Sequence, residues 1–128
     1  MEPSLAPDRL LICRPLGTRP LRGSIVVFPH PRRQAMWLVK RVVGLPGEEV
    51  EVDFGRVLVN GDPGIDLWDP GENTFPEGKW NIGEREVLVL SDNRPGTLDD
   101  GRSFGPVGTR DMFKVIWPRV RRKPPRPR

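Results

Sequence analysis

The sequence predicts an all-β fold, in which short antiparallel strands form bent sheets and a partly closed barrel. The chain has 128 residues, which is enough for one domain with a buried core. Its 16 prolines and 14 glycines interrupt long helices and favour turns. No segment has a convincing helical apolar repeat, whereas several short blocks of β-branched residues lie between turn residues.

The predicted strands follow one another along the chain, and turn residues separate them. They cover residues 10–13, 24–28, 36–43, 48–53, 56–60, 86–90 and 112–117. Residues 48–53 (EEVEVD) alternate between charged and apolar side chains, as a half-buried strand does. Phe54-Gly55 predicts a hairpin turn between two of these strands, and Asn60-Gly61 predicts a second turn of the same kind.

Two segments differ from this pattern. Residues 62–84 form a predicted turn-rich insertion, in which Trp68, Phe75 and Trp80 interrupt an otherwise polar loop. These aromatic side chains predict a flap packed on the body or, alternatively, part of a binding surface. Residues 118–128 contain six Lys or Arg and no acid, which predicts a disordered or polyproline-like tail.

The positive charge of the chain belongs to that tail. Its net charge is +4, but the body without residues 118–128 is slightly acidic. The composition therefore predicts no basic face on the fold, and no nucleic-acid partner is expected. The tail itself can contact an anionic membrane surface, although a solvated tail without a specific partner fits the same pattern.

The counts of reactive residues exclude several kinds of site. Cys13 is the only cysteine and His30 the only histidine, so neither an intrachain disulfide nor a Cys/His metal site is expected. His30 lies between two prolines, which is unfavourable for the base of a Ser-His-Asp triad. No apolar run reaches about 18 residues and the N-terminus lacks a signal-peptide pattern, so the chain as given is expected to be soluble.

The longest predicted strand places one lysine on an apolar face. Side chains alternate along a strand, so Lys40 shares its face with Met36, Leu38 and Val42. If this face points into the core, burial lowers the pKa of Lys40, and a neutral lysine can accept a proton from a hydroxyl. Alternation alone also permits a lysine that extends from an edge strand into water.

Four blocks of the chain, in order, resemble the type I signal peptidase family. MEPSL at 1–5 is similar to the end of S-M-x-P-T-L, and RGSIVVF at 22–28 is similar to R-G-D-I-V-V-F. KRVVGLPGE at 40–48 is similar to K-R-V-x-G-x-P-G-D. SDNRPGTLDDGRSFGPV at 91–107 is similar to G-D-N-R-x-x-S-x-D-S-R-x-x-G-x-V. Ser24 and Ser91 depart from these patterns, where the family has an aspartate and a glycine.

The resemblance implies a signal-peptidase-like and LexA-like fold with an S26-type Ser/Lys dyad. Residues 1–117 would form the catalytic domain, with the insertion at 62–84, and Lys40 would be the general base. An extended peptide would bind beside the preceding strand by β-augmentation. The residues expected to bind substrate are Met1, Glu2, Met36, Trp37, Leu38 and Val39.

The late block would support the site. The resemblance implies that Thr97 brings a hydroxyl near the lysine and that Arg102 forms an ion pair with an aspartate. This loop is one residue longer than the family pattern, so both Asp99 and Asp100 remain candidates for that partner. Two further residues, Asp92 and Asn93, would hold the turn of the loop.

In the family, the nucleophilic serine directly precedes the methionine of the first block, which is Met1 here. The serine and a membrane anchor upstream of it are therefore expected before the first residue given, and the chain as given is expected to be inactive. Two explanations remain open: the true start lies further upstream, or the chain is a short inactive product.

For the full-length protein, the resemblance implies a serine endopeptidase that cleaves signal or pro-peptides after small residues. It would need no metal or organic cofactor. With an upstream anchor it would be membrane-associated, with the catalytic domain on the extracytoplasmic side. The alternatives are an inactive peptide-binding module of the same fold and a soluble peptidase that matures a propeptide.

Overall fold

The computed structural model describes residues 10–68 and 71–118, and it confirms the all-β prediction. The strands are β1 (Ile12–Pro15), β2 (Ile25–Pro29), β3 (Trp37–Gly44), β4 (Glu49–Asp53), β5 (Arg56–Val59), β6 (Gly78–Asn81), β7 (Glu86–Leu90), β8 (Val107–Gly108) and β9 (Phe113–Trp117). One short helix, α1 (Gly101–Phe104), follows β7. In these two ranges, no helix has the length and apolar character needed to cross a bilayer.

The strands form two antiparallel sheets. The larger sheet has the order β1-β9-β2-β3-β7-β8, and the smaller sheet has the order β5-β4-β6. The long strand β3 lies in the middle of the larger sheet, where it pairs with β2 along its first part and with β7 along its second. Its register with β7 shifts between Val42 and Gly44, and such an irregularity bends a strand.

Strand β7 contributes to two core clusters, because both of its faces are buried. Val87 and Val89 pack in a first cluster with side chains of β2 and β3, such as Val26 and Val42. Its intervening leucines pack in a second cluster, against the valines of the smaller sheet. A strand buried on both faces is apolar throughout, which explains the sequence VLVL in β7.

Both predicted turns are present. Asp53 pairs with Arg56 across Phe54 and Gly55, which have φ values of 50° and 78°. These positive values belong to the turn type that joins twisted strands with two residues. Asn60 has a positive φ of 50° as well, and the chain reverses there between Val59 and Asp62.

Three elements were not predicted. Strand β6 lies inside the segment assigned to the turn-rich insertion, where its sequence GKWN has a glycine and little β-branched character. Strand β8 has two residues and α1 has four, so both are too short to show a period. The remaining strands agree with the predicted blocks to within two residues at either end.

Candidate active site

Lys40 lies on β3 with its side chain directed inward. It is 8% exposed, and its strand neighbours on the same face, Leu38 and Val42, belong to the first core cluster. Across the sheet it pairs with Val26 of β2, which is fully buried. The alternation of β3 thus places an ammonium group at the edge of an apolar cluster.

The surroundings of Lys40 favour loss of its proton. Burial lowers the pKa of Lys40 from its ordinary value of 10.5; the charges of Asp100 and Asp99 act in the opposite direction, and Arg102 adds to the lowering. Among residues 10–68 and 71–118, no carboxylate lies within ion-pairing distance of the Lys40 ammonium. A lysine in this environment can act as a base at lower pH than an exposed one.

Among the strands that the structure describes, the first half of β3 has an open edge next to Lys40. Residues from Trp37 to Arg41 pair with β2, whereas the pairing with β7 begins only at Arg41. On the β7 side, no strand of the described residues pairs with β3 before that point. The open edge therefore ends beside Lys40.

The register shows which backbone groups this edge presents. The Met36 carbonyl accepts a hydrogen bond from the N–H of His30, so Met36 directs its backbone groups toward β2. Because this direction alternates along an antiparallel strand, Leu38 and Lys40 also face β2. Trp37 and Val39 then direct their N–H and C=O groups to the open edge. A peptide that pairs with β3 would bond to these two residues.

The side chains of the predicted substrate strand differ in exposure. Leu38 is buried, and Met36 is partly buried against the first core cluster. Val39 is partly buried as well and packs against a third, smaller cluster. Trp37 is 55% exposed, and its ring lies 6.5 Å from that of Phe113. The predictions for Met1 and Glu2 lie outside the described residues, as do those for the tail beyond Pro118.

Asp100, and not Asp99, is the ion-pair partner of Arg102. Arg102 Nη2 lies 2.7 Å from Asp100 Oδ2, and both side chains are completely buried. Asp100 is also the N-cap of α1, where its carboxylate accepts a hydrogen bond from the Arg102 N–H. The capping geometry of α1 therefore decides the choice that the longer loop had left open.

Arg102 also holds the loop that carries Thr97. Its guanidinium donates hydrogen bonds to the backbone carbonyls of Thr97 at 2.7 Å and Arg94 at 3.0 Å. The Thr97 hydroxyl accepts a hydrogen bond from the Asp99 N–H at 3.1 Å. No hydrogen bond joins Thr97 to Lys40 in the part of the chain that the structure describes.

Asp92 connects the late block to β3 through Arg41. Arg41 Nε and Nη2 each donate to one oxygen of the Asp92 carboxylate at 2.8 Å, and both side chains are almost fully buried. The Arg41 guanidinium also lies 5.0 Å from the ring of Trp68, so the insertion packs over this pair. Asn93 is exposed, and its carbonyl accepts a hydrogen bond from the Gly96 N–H within a turn.

Glu48 joins two of the sequence blocks, which the sequence alone did not indicate. Both of its carboxylate oxygens accept hydrogen bonds from Arg22, at 2.7 and 2.6 Å. Burial acts to raise the pKa of Glu48, but the hydrogen bonds from Arg22 and from the Leu45 N–H outweigh it and hold the pKa below 4.5. Arg22 also donates to the Val43 carbonyl, so the pair fixes the end of β3.

His30 is a second residue whose partner the sequence did not reveal. It is buried, and its Nε2 lies 2.7 Å from Asp99 Oδ1. The two residues are 69 positions apart, so no spacing in the sequence connects them. The ring of Phe104 packs against the imidazole at a centroid distance of 5.6 Å.

The sequence is similar to proteins of one known family. Residues 1–115 match the family model described as signal peptidase, peptidase S26. The signal peptidase I of Leptolyngbya laminosa is 40% identical over 88 residues, which are 62% of this chain and 43% of that protein. A probable signal peptidase I-2 of Synechocystis sp. is 36% identical over 107 residues, covering 77% of this chain and 49% of the relative. The chain thus spans less than half the length of either protein.

The fold is also similar to a solved structure. A crystal structure of a signal peptidase I from Enterococcus faecalis V583 superimposes with a TM-score of 0.63 at 29% sequence identity. The match covers 77% of this chain and 97% of that chain.

Proposed function

The chain belongs to the peptidase S26 family of signal peptidases, and from this premise we propose that it is the catalytic domain of a serine endopeptidase with Lys40 as its general base. The observation that carries this proposal is the buried Lys40 at the end of an open strand edge. A peptide bound to that edge would have its backbone next to the group that moves the proton.

The proposed reaction is acyl transfer by a Ser/Lys dyad. A serine hydroxyl, expected directly before Met1, attacks the carbonyl carbon of the substrate while the Lys40 amine takes its proton. Lys40 then gives this proton to the leaving amine nitrogen as the peptide bond breaks. Water, deprotonated by Lys40, hydrolyses the acyl-enzyme and regenerates the serine.

The buried ion pair of Arg102 and Asp100 supports this role for Lys40. The ion pair holds the loop in place. The charge of Asp100 raises the proton affinity of Lys40 and the charge of Arg102 lowers it, so the two effects oppose each other. A single buried carboxylate at this position would instead favour the protonated lysine, which is no base.

An inactive peptide-binding module of the same fold would keep the open edge but would have no need of a desolvated lysine. Burial of an ammonium group costs free energy, and a binding groove gains nothing from it. The position of Lys40 therefore favours the peptidase. A soluble peptidase that matures a propeptide would use the same site, and an apolar run of about 20 residues upstream would separate the membrane-anchored form from it.

The experiment that tests the proposal uses the chain extended upstream to include the serine. We expect it to cleave a peptide with alanine at the first and third positions before the scissile bond, and to lose this activity when the serine is replaced by alanine. The chain that begins at Met1 is the matched control and is expected to be inactive. Cleavage by the serine-to-alanine variant, or by the chain that begins at Met1, would contradict the proposed dyad.

A series of peptide substrates, each methylated at a different backbone nitrogen, tests whether the substrate pairs with the open edge of β3. Trp37 and Val39 present their hydrogen-bonding groups two residues apart, so only alternate amides of an antiparallel substrate strand can bond to β3. We expect kcat/KM to fall about tenfold at alternate positions before the scissile bond and to change little between them. An effect of equal size at every position, or none at all, would exclude pairing with this edge.

A further inference from the structure

The hydrogen bonds of His30 define where its proton lies. Its Nδ1 accepts hydrogen bonds from the backbone N–H groups of Arg32 at 3.0 Å and Arg33 at 3.2 Å. A ring nitrogen that accepts an N–H carries no proton, so the hydrogen of the neutral ring is on Nε2. Nε2 therefore donates to Asp99 Oδ1, at 2.7 Å. The turn that precedes β3 fixes the imidazole in the orientation that binds Asp99.

Asp99 is a second carboxylate close to the lysine. The loop before α1 is one residue longer than the family pattern and carries two adjacent aspartates. Arg102 of α1 forms its ion pair with Asp100, so it does not pair with Asp99. The charge of Asp99 acts on Lys40, and its side chain is 29% exposed. The His30–Asp99 pair lies near the face of β3 that carries Lys40, because Phe104, whose ring contacts His30, packs against the core cluster of Leu38 and Val42. An Asp99 carboxylate that turned toward Lys40 would form an ion pair and hold the lysine in its protonated form.

We propose that His30 is a positioning residue that binds Asp99 and so prevents it from forming an ion pair with Lys40. The inference rests on the proposed role of Lys40 as the base. It gives the buried histidine a function in that site other than proton transfer, because no hydrogen bond joins His30 to Lys40 in the described residues.

The other groups around Lys40 in residues 10–68 and 71–118 do not provide this effect. Arg102 and Asp100 are bound to each other, and both are fully buried. Strand β2 places the apolar Val26 opposite Lys40, and β7 contributes Val89 to the same cluster. Asp99 is therefore the carboxylate near Lys40 whose position depends on His30.

The test is a pH titration of Lys40 itself. NMR of the intact chain, labelled at the lysine side chains, measures the pKa of Lys40. The other lysines, Lys79, Lys114 and Lys123, provide reference signals. His30→Asn keeps an oxygen that accepts the backbone N–H groups of the turn but is too short to reach Asp99. We expect this variant to raise the pKa of Lys40.

Two further variants separate release of Asp99 from damage to the turn. His30→Gln places an amide nitrogen where Nε2 lies, so it can still donate to Asp99, and we expect it to leave the pKa of Lys40 unchanged. In the double variant His30→Asn/Asp99→Asn there is no carboxylate to release, so the pKa of Lys40 should equal that of Asp99→Asn alone.

Three outcomes would overturn the inference. They are an unchanged Lys40 titration in His30→Asn, a rise that persists in the double variant, and an equal rise in His30→Gln. Because the titration needs no catalysis, it remains decisive even if the extended chain proves inactive. In an active extended chain, His30→Asn should move the acidic limb of the kcat/KM profile to higher pH, and Asp99→Asn should reverse that shift.

Discussion

Lys40→Met is expected to abolish peptide cleavage by the extended chain and, at the same time, to raise its free energy of unfolding. Methionine has a similar length and an apolar side chain, so it fits the face that Lys40 shares with Leu38 and Val42. It has no nitrogen that could take the serine proton. Loss of a general base typically lowers the rate by about 10²–10⁴-fold.

The gain in stability should depend on pH in a defined direction. Burial lowers the pKa of Lys40 from 10.5, so between the lowered pKa and 10.5 the unfolded chain binds more protons than the folded chain. The free energy of unfolding of the wild type therefore rises with pH across this interval. We expect Lys40→Met to be more stable by about 1–2 kcal/mol below the lowered pKa, and this difference should shrink as the pH approaches 10.5.

Urea denaturation at a series of pH values, together with the cleavage assay, measures both effects. Lys79→Met is the matched control, because the Lys79 side chain is 57% exposed and its contact with Glu49 lies at the surface. It should change neither the activity nor the pH dependence of stability. A Lys40→Met variant that retained activity would exclude Lys40 as the base. A variant less stable than the wild type would show that burial of the lysine does not destabilise the fold.

Asp66→Ala is expected to cause a large loss of stability, about 3–5 kcal/mol. Asp66 accepts hydrogen bonds from Arg94 Nη1 at 2.8 Å and Arg94 Nη2 at 3.0 Å, and both side chains are almost completely buried. Removing this carboxylate leaves a buried guanidinium with two fewer charge-assisted hydrogen bonds. Because Arg94 also binds Thr74, the insertion should loosen with it.

Thermal or urea denaturation measures this loss, and two further variants define its origin. Glu49→Ala breaks the exposed contact with Lys79 and is expected to cost less than about 1 kcal/mol. Asp66→Leu combined with Arg94→Met removes both buried charges, so it should be more stable than Asp66→Ala alone. Equal losses for Asp66→Ala and Glu49→Ala would show that burial does not strengthen the Asp66–Arg94 pair.

Whether the sequence could predict a feature of the site depends on how far apart in the chain the interacting residues lie. The two-residue alternation of one strand places Lys40 and Leu38 on the same face, and both side chains are buried. Alternation alone did not decide whether Lys40 points into the core, and the resemblance of the surrounding blocks to the family favoured that direction. The hairpin at Phe54-Gly55 depends on two adjacent residues with positive φ. Properties of this kind are local, so a sequence pattern can express them.

The contacts that join distant segments could not be predicted in this way. The choice between Asp99 and Asp100 depended on the capping of α1, a helix too short to leave a periodic signal. The partner of His30 depended on how the loop before α1 packs on the turn before β3. The bidentate pair of Arg41 with Asp92 crosses 51 positions, and alternation indicates only that Arg41 faces away from Lys40.

The length of the open edge of β3 limits how much of a bound chain can be recognised. Only Trp37 and Val39 present backbone groups there, since β7 occupies the edge from Arg41 onward. An edge this short cannot extend a sheet far, which lowers the risk that two copies of the domain join edge to edge. In the proposed peptidase it would also restrict selection to a few residues before the scissile bond, so that substrates differing everywhere else would be accepted alike.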